Sequence, residues 1–402
     1  MTSVQSETVA GMSAALGNTV ADAPWMAALR ANAAAAADRL AMPDSRRERP
    51  WKYLDVSNLR PESFGTSGAE RIEIAANAAQ ATVVEFKAAT GDVAAAIEKN
   101  LSSAVIPGIS RLTALHYALL RGGVIANVPA NFEVAEPVRI KRTYSGSQFA
   151  APHTLIVTGA NSRVTIVQEY FSGEDEMVAT PVVEIIPGPG SQVRLYSIHR
   201  WGEKTQVFES QRYLAEADAA ELQNLNIVLS GQVVKSHVES SLVGRGSASE
   251  LLGLCYGKGH SHSDIYTVQD HIGPDTRSDL LVKSALTESS RAVYYGLTRV
   301  GLGAKNADAN QENRNLLLSK TAKADSDPVL EILTNDVIRV SHGATAGPVD
   351  QEQLFYIQAR GIPYAEAESM LVTAFLEDVL GRVPGEAIRE ELTALVEEAL
   401  DQ

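Results

Sequence analysis

The sequence predicts a mainly β protein, a parallel β-helix or closely related β-solenoid flanked by N-terminal and C-terminal helical regions. The first observation is a loose repeat. Small polar turns followed by alternating strands begin at Ala160 (ANSRVTIVQEY), Pro189 (PGSQVRLYSI), Ala217 (ADAAELQNLNIV), Gly246 (GSASELLGLCY) and Pro274 (PDTRSDLLVKSAL), at steps of 29, 28, 29 and 28 residues. So regular a period points to stacked coils, each burying its apolar face against its neighbours. The second observation is that no helical pattern separates these strands, which argues against a doubly wound sheet with its long crossovers. A large antiparallel sandwich with evenly spaced hairpins stays open as the alternative. The third is the change after Pro348, where period-2 alternation gives way to helical spacing.

Composition narrows the function classes. A chain of 402 residues is long for one compact core, so it implies two domains or an elongated repeat body. A formal charge of -14 provides no polycationic surface, which argues against nucleic acid and anionic membrane as partners. There is no long apolar run for a membrane span, and Met1 to Val20 lacks the basic start and apolar centre of a secretory signal, so a cytoplasmic protein is expected. Cys255 is the only cysteine, which excludes an internal disulfide and any multi-cysteine metal site built from one chain.

The elements follow in order. Residues 1–21 are small and polar without sustained period and are expected to be disordered. Asp22 as N-cap and Pro24 in the first turn open a helix through MAALRANAAAAADRLAM that Pro43 ends. A charged loop at 45–57, SRRERPWKYLDVS, is expected to lay Trp51 and Tyr53 over the body. Strands are expected at IEIAA and TVVEF between Arg71 and Lys87. Helices are expected at Asp92 to Leu101 and Ser110 to Leu120, the second ended by Gly122 and Gly123. The domains are thus a mixed, helix-containing region at 22–122, the β-helix core at 123–347 and a helical domain at 348–402. Within the core, strands are expected on both sides of Ala324 to Asp327, and a strand gives way to a turn at Ser341-His342-Gly343.

Beyond the core, Gln351 to Arg360 carries Leu354, Phe355 and Ile357, with Gly361 as C-cap. Pro363 starts a second helix with Met370, Leu371, Ala374, Phe375 and Leu380, stopped by Gly381 and Pro384. Glu386 to Leu400 puts Ile388, Leu392, Leu395, Val396 and Ala399 on one face. These helices are expected to pack on the solenoid end or on a partner.

Few residues could carry chemistry. His260, His262 and His271 with Asp264 and Asp270 form the one dense ligand-type cluster, and on a strand His260 and His262 would share a face. A metal would also need Asp264 or His271 to fold back, and no metal site is assigned. Cys255, in LLGLCYG, is read as a small buried hydrophobe. Turn chemistry accounts for Asp325 and Asp327 better than a paired acid and base does. No G-x-S-x-G, H-E-x-x-H or Walker-type phosphate loop occurs, so no self-contained active site is expected. His342 is the candidate functional residue, at a corner where an imidazole could reach solvent or a partner.

Beside these readings stands a resemblance. The string NRNLLLSKTAKADSDPVLEIL from Asn313, followed by NDV, SHGATAG and LFYIQARGI, resembles the C-terminal half of the SufB/SufD scaffold proteins of iron-sulfur cluster assembly. WKYLDVS at 51–57, VPANFEVAEPV at 128–138 and HSHSDIYTVQDHIGPDTRS at 260–278 extend the likeness, which runs from about residue 45 to 380. The chain is most similar to the SufD branch, being short and lacking the cysteine thought to anchor a nascent cluster in SufB. The resemblance implies a right-handed parallel β-helix and a complex with a SufB-like paralogue and a SufC-like ATPase. In that complex SufC docks on the C-terminal helices, the two β-helices meet near their ends, and ATP hydrolysis belongs to SufC. It implies no firmly bound cofactor, only a transient iron-sulfur cluster at the SufB interface, where His342 matches a family histidine. Imidazole can ligate iron, sharing the cluster with thiolates from SufB. The chain departs from many relatives at Val340, where they have cysteine, at Asp275 and Thr276, where they have a histidine-cysteine pair, and at Tyr266, where histidine is common. These losses favour a supporting scaffold role. The rivals are a homo-oligomeric structural solenoid, the chain pairing with itself, and a carbohydrate-active β-helix protein. The second expects secretion, clustered aspartates and an aromatic groove, against 6% aromatic residues here.

Overall fold

The computed structural model describes residues 8–17, 23–65, 68–76 and 81–401. Helices α1 (Val9–Gly17) and α2 (Pro24–Arg39) come first. Helix α1 corrects the expectation of disorder through residue 21 within the described part: Val9, Ser13 and Leu16 are buried. The rest of that call, on residues 1–7 and 18–21, lies outside the described residues. Ala23, not Asp22, is the N-cap of α2, and Pro24 is its first residue. Strands β1 (Ala69–Ala75) and β2 (Thr82–Glu85) precede α3 (Gly91–Asn100) and α4 (Arg111–Ala118). Ser110 caps α4 by accepting from Thr113 N–H, while the Thr113 hydroxyl accepts from Ser110 N–H, closing a capping box. Leu119, rather than the two glycines, caps its other end.

The core begins with β3 (Val124–Val128), β4 (Val138–Ser145), β5 (Gln148–Ala150), β6 (His153–Thr158), β7 (Arg163–Ser172), β8 (Met177–Ala179) and β9 (Val182–Ile186). It continues with β10 (Gln192–Arg200), β11 (Thr205–Ala215), β12 (Glu221–Ser230), β13 (Val233–Leu242), β14 (Ala248–Gly257), β15 (His262–His271) and β16 (Arg277–Leu286). It ends with β17 (Arg291–Val300), β18 (Ala307–Leu317), β19 (Lys323–Ile332) and β20 (Val337–Pro348). The chain alternates between two sheets. One runs in the order β1-β4-β7-β10-β12-β14-β16-β18-β20, the other β19-β17-β15-β13-β11-β9-β6-β3-β2.

Every pairing between coils is parallel, while β1 and β2 alone are antiparallel to their neighbours. This is a β-solenoid, and the sandwich alternative falls. Register follows the period: Gln192 pairs with Arg163 and with Glu221, one residue per coil. One turn repeats in each coil. Asn131, Asn161, Gly190, Ala219, Gly246, Asp275 and Asn306 all have positive φ, which few L-residues adopt without cost. Each donates its backbone N–H to the coil above, as Asp275 does to Lys305 O (2.7 Å) and Asn306 to Asp336 O (2.8 Å). The small polar turns of the repeat are therefore the points where the chain crosses between sheets.

Leu195, Leu251 and Leu280 point inward and are buried with Val238, Leu242 and Ile265 between the sheets. Tyr196, Leu225, Leu252 and Leu281, one residue further along each strand, point outward and meet the C-terminal helices. These are α5 (Gln351–Gln358), α6 (Tyr364–Leu380) and α7 (Glu386–Asp401). Leu376, Val379, Leu392 and Val396 bury against that outer face. Lys283 Nζ donates to Phe375 O (2.8 Å) and pairs with Asp378. Arg139 forms a two-pronged pair with Glu391 (2.5 and 2.6 Å). The helices thus lie on the flank of the solenoid rather than on its end, which was one of the two placements expected, the other being on a partner. Helices α2 and α4 cover the other sheet at its first coils, where Leu112, Leu115, Ile125, Leu155 and Phe208 form one cluster.

Candidate functional site

The last coil, β19 and β20, differs from those before it. In the inward row, Leu195, Asn224, Leu251, Leu280 and Gln311 are paired strand to strand and each is at most 3% exposed. His342 is the next residue of that row, paired with Gln311, yet it is exposed. Its position is an interior one; only the next coil is missing. Ala344 and Ala346, which continue the rows of Asn313 and Asn315, are exposed in the same way, and Val340, which follows Ala309, is half-buried. On β19, Ser326, Leu330 and Ile332 follow buried Tyr294, Thr298 and Val300, and Ile332 is 43% exposed. Among the described residues the open coil therefore presents a solenoid interior, with His342 in it, to solvent.

Both strands of this coil are sheet edges. Edges are commonly protected by charge or proline. Strand β19, KADSDPVLEI, has both, and Pro328 is tolerated because nothing pairs with its free side. At the opposite end β1, AERIEIA, alternates charges. Strand β20, VIRVSHGATAGP, has one charge, Arg339, and a proline only at its last residue, Pro348. Its backbone is an unprotected template for strand addition.

The sequence placed His342 at a corner where a strand ends. Strand β20 instead runs through Ser341-His342-Gly343 to Pro348, and neither Gly343 nor Gly347 adopts positive φ. Likewise β19 runs through Ala324 to Asp327, so these aspartates stand in a strand rather than a turn. Asp327 holds the 45–57 loop down directly, and Asp325 holds Arg291, whose guanidinium lies 5.0 Å from the centre of the Tyr53 ring. Asp325 accepts from Arg291 Nε (2.9 Å), and Asp327 accepts from Tyr53 Oη and Lys52 Nζ, both at 3.3 Å. Trp51 lies 6.0 Å from the Phe208 ring, so both aromatics of that loop pack on the body as expected.

The histidine cluster does not assemble. His260 is in the turn before β15, while His262 and His271 are the first and last residues of that strand, about 30 Å apart by strand rise. His271 is buried, its Nδ1 2.8 Å from Thr276 Oγ1 and its Nε2 2.7 Å from Ser278 Oγ, and burial lowers its pKa to about 4. Asp264 pairs with Lys235 (2.7 Å) and Asp270 with Arg299 (2.9 Å). Among the described residues no three His, Cys, Asp or Glu side chains are grouped to hold a metal. Cys255 is buried, and burial pushes its thiol up to about 11.

Sequence reasoning missed the aromatic face of α5 and α6. Phe355 and Met370, read as packing residues, are 72% and 48% exposed, and Tyr356 and Tyr364 stand out beside them. Leu354 and Ile357 do the packing instead. Three adjacent apolar residues in one turn were the signal that one must face outward.

Residues 141–375 match the family "SUF system FeS cluster assembly, SufBD core domain". The chain belongs to the SufBD family. The match covers the coils from β4 onward, the open coil and most of α6. The chain is 28% identical over 291 residues to the iron-sulfur cluster assembly protein SufD of Bacillus subtilis, covering 71% of this chain and 66% of that protein. It is 27% identical over 363 residues to an iron-sulfur cluster assembly SufBD family protein of Mycobacterium tuberculosis, covering 88% and 89%. Against the SufB protein of Bacillus subtilis it is 27% identical over 283 residues, covering 70% and 60%. No described helix is long and apolar enough to cross a membrane.

Proposed function

We propose that this SufBD-family chain is a SufD-like, non-catalytic scaffold subunit that pairs through β19 and β20 with a SufB-like paralogue and works in the cytoplasm. The observation that carries the reading is the open coil: an interior face and an unprotected edge strand call for a partner that continues both sheets. In that pair His342 faces the partner's last coil and offers an imidazole to an iron-sulfur cluster built between the two chains. The cluster is cargo, held transiently, with thiolates supplied by the partner. A SufC-like ATPase docks on the exposed face of Phe355, Tyr356, Tyr364 and Met370. Movements driven by its nucleotide reach the sheets through the Lys283 and Arg382 anchors.

A second copy of this chain could use the same edge, since strand addition reads backbone more than side chains. Co-purification with a SufB-like and a SufC-like protein of the same organism, mass determination and cluster loading separate the readings. A ternary assembly that loads cluster, with loading reduced in His342→Ala, supports the proposal. Loading unchanged in His342→Ala removes that residue from the site. A homodimer that ignores both proteins overturns the scaffold reading.

A further inference from the structure

Both corners of the last three coils expose polar turn residues, but only one exposes large aliphatic side chains as well. At one, the turns are Lys258 to Ser261, Thr287 to Ser290 and Leu318 to Ala322, with His260, Glu288, Ser289, Lys320 and Thr321 exposed. Those are ordinary solvated turns. At the other, Ile272, Leu302 and Leu333 are 43%, 76% and 51% exposed, beside the exposed polar residues Lys305, Asn306, Asn335 and Asp336 of the same turns.

These three form a ridge because the coils are in register. Ile272 N–H donates to Leu242 O, Gly301 N–H to His271 O and Leu333 N–H to Val300 O, so Ile272, Gly301 and Leu333 hold the same place in successive coils, with Leu302 beside the glycine. At one strand spacing per coil the ridge is about 10 Å long. It leads directly into the open coil. Leu333 follows Ile332, the last residue of β19, and Ile338, 65% exposed, stands at the register shift near the start of β20. Single exposed aliphatics are common, but a line of them on one corner that merges with a bare edge marks a contact surface.

We propose that the partner chain covering the open coil also folds over this corner and packs an apolar segment on Ile272, Leu302 and Leu333. The inference rests on the open coil being the pairing surface. It deepens that reading by giving the partner a second requirement, an aliphatic or aromatic extension beside its own last coil. Strand addition supplies affinity through backbone groups, and the ridge adds side-chain contacts that backbone pairing alone does not read.

The test is the affinity of the full chain for the SufB-like paralogue, measured for wild type, Leu302→Glu, Ile272→Lys and, at the polar corner, Lys320→Ala. Thermal melting of each variant alone controls for folding, and at such exposed positions it should not move. The inference expects Leu302→Glu and Ile272→Lys each to weaken pairing about tenfold or more, with Lys320→Ala unchanged. Wild-type affinity in both ridge variants overturns the ridge and leaves the end-to-end pairing standing. If the wild-type chain does not pair at all, the reading of the open coil fails first, and the ridge falls with it.

Discussion

Replacing Lys235 by methionine should be among the most damaging single changes in the solenoid. Lys235 and Asp264 are 2.7 Å apart with side chains 4% and 1% exposed. Lys235 Nζ also donates to Pro50 O (2.6 Å) and lies 4.8 Å from the centre of the Trp51 ring, so it fastens the 45–57 loop to β13. Burial lowers the Lys235 pKa and raises that of Asp264, and each charge persists because the other offsets the lost hydration. The pair is therefore a weak source of stability but a costly one to break. Lys235→Met keeps the apolar stem, strands a buried carboxylate and should destabilise the chain by about 3–5 kcal/mol at neutral pH.

The sign of the pH dependence follows. A carboxyl whose folded pKa is raised is penalised most above that pKa and is relieved as pH falls through it. The deficit of Lys235→Met should therefore shrink toward acid pH. Removing both charges in Lys235→Met with Asp264→Leu should recover most of the loss, leaving mainly the Pro50 hydrogen bond. Urea unfolding followed by tryptophan fluorescence measures all three variants against wild type. A single variant within about 1 kcal/mol of wild type, or a double variant as unstable as the single, would refute the account.

Three other outcomes are expected. Cys255, with its thiol pushed up to about 11, should resist iodoacetamide at pH 8 in the folded chain and react once urea unfolds it; labelling of the native protein would contradict its burial. His237, His262 and His271 have pKa values lowered to about 3, 4 and 4, chiefly by burial, so the fold holds them neutral while the unfolded chain protonates them near 6.5. Their contribution is intact above pH 6.5 and is lost as pH falls toward 4, with a limiting slope of about 1.4 kcal/mol per pH unit for each; thermal melting between pH 7 and pH 4 reads it. Arg382→Ala removes the hydrogen bonds to Glu250 (3.2 Å) and Asp279 (2.6 Å) that pin the α6–α7 turn to the sheet, so hydrogen exchange in α7 should accelerate while the coils stay protected; unchanged exchange would show that the apolar contacts alone hold the helices.

Much of the architecture was legible because a solenoid repeats its constraints. Each coil needs a turn residue with positive φ at the same place, and inward and outward rows that match those of its neighbours, which leaves a period in the letters. The misreadings gather where that constraint lapses. Asp325, Asp327, Gly343 and Gly347 look like turn residues, but an edge coil packed on one side only can place them in strands. His342 was singled out by its Ser-His-Gly setting, and the family resemblance matched it to a family histidine. Its location inside an interior row came from strand register, which the letters after Val340 do not reveal. Helix α1 was missed because VAGMSAALG has little amphipathic pattern and takes its burial from Val9, Ser13 and Leu16. The histidine cluster dispersed because closeness along the chain was taken for closeness on a face; His260 lies in a turn, and His262 and His271 stand at opposite ends of a ten-residue strand. The flank position of α6 and α7 was hidden because Leu252, Leu254 and Leu281 suit a buried strand whatever covers them.

The most direct test of the pairing surface is hydrogen exchange of the backbone amides of β19 and β20, measured for the chain alone and with the SufB-like paralogue. Alone, these edge strands should exchange faster than β14 to β17, which are hydrogen-bonded on both sides. With the partner, protection should appear in Val337 to Pro348 and Lys323 to Ile332 and leave β1 unchanged. Binding that protects β1 or the helices while β20 exchanges as before would contradict the claim that the open coil is where this scaffold meets its partner.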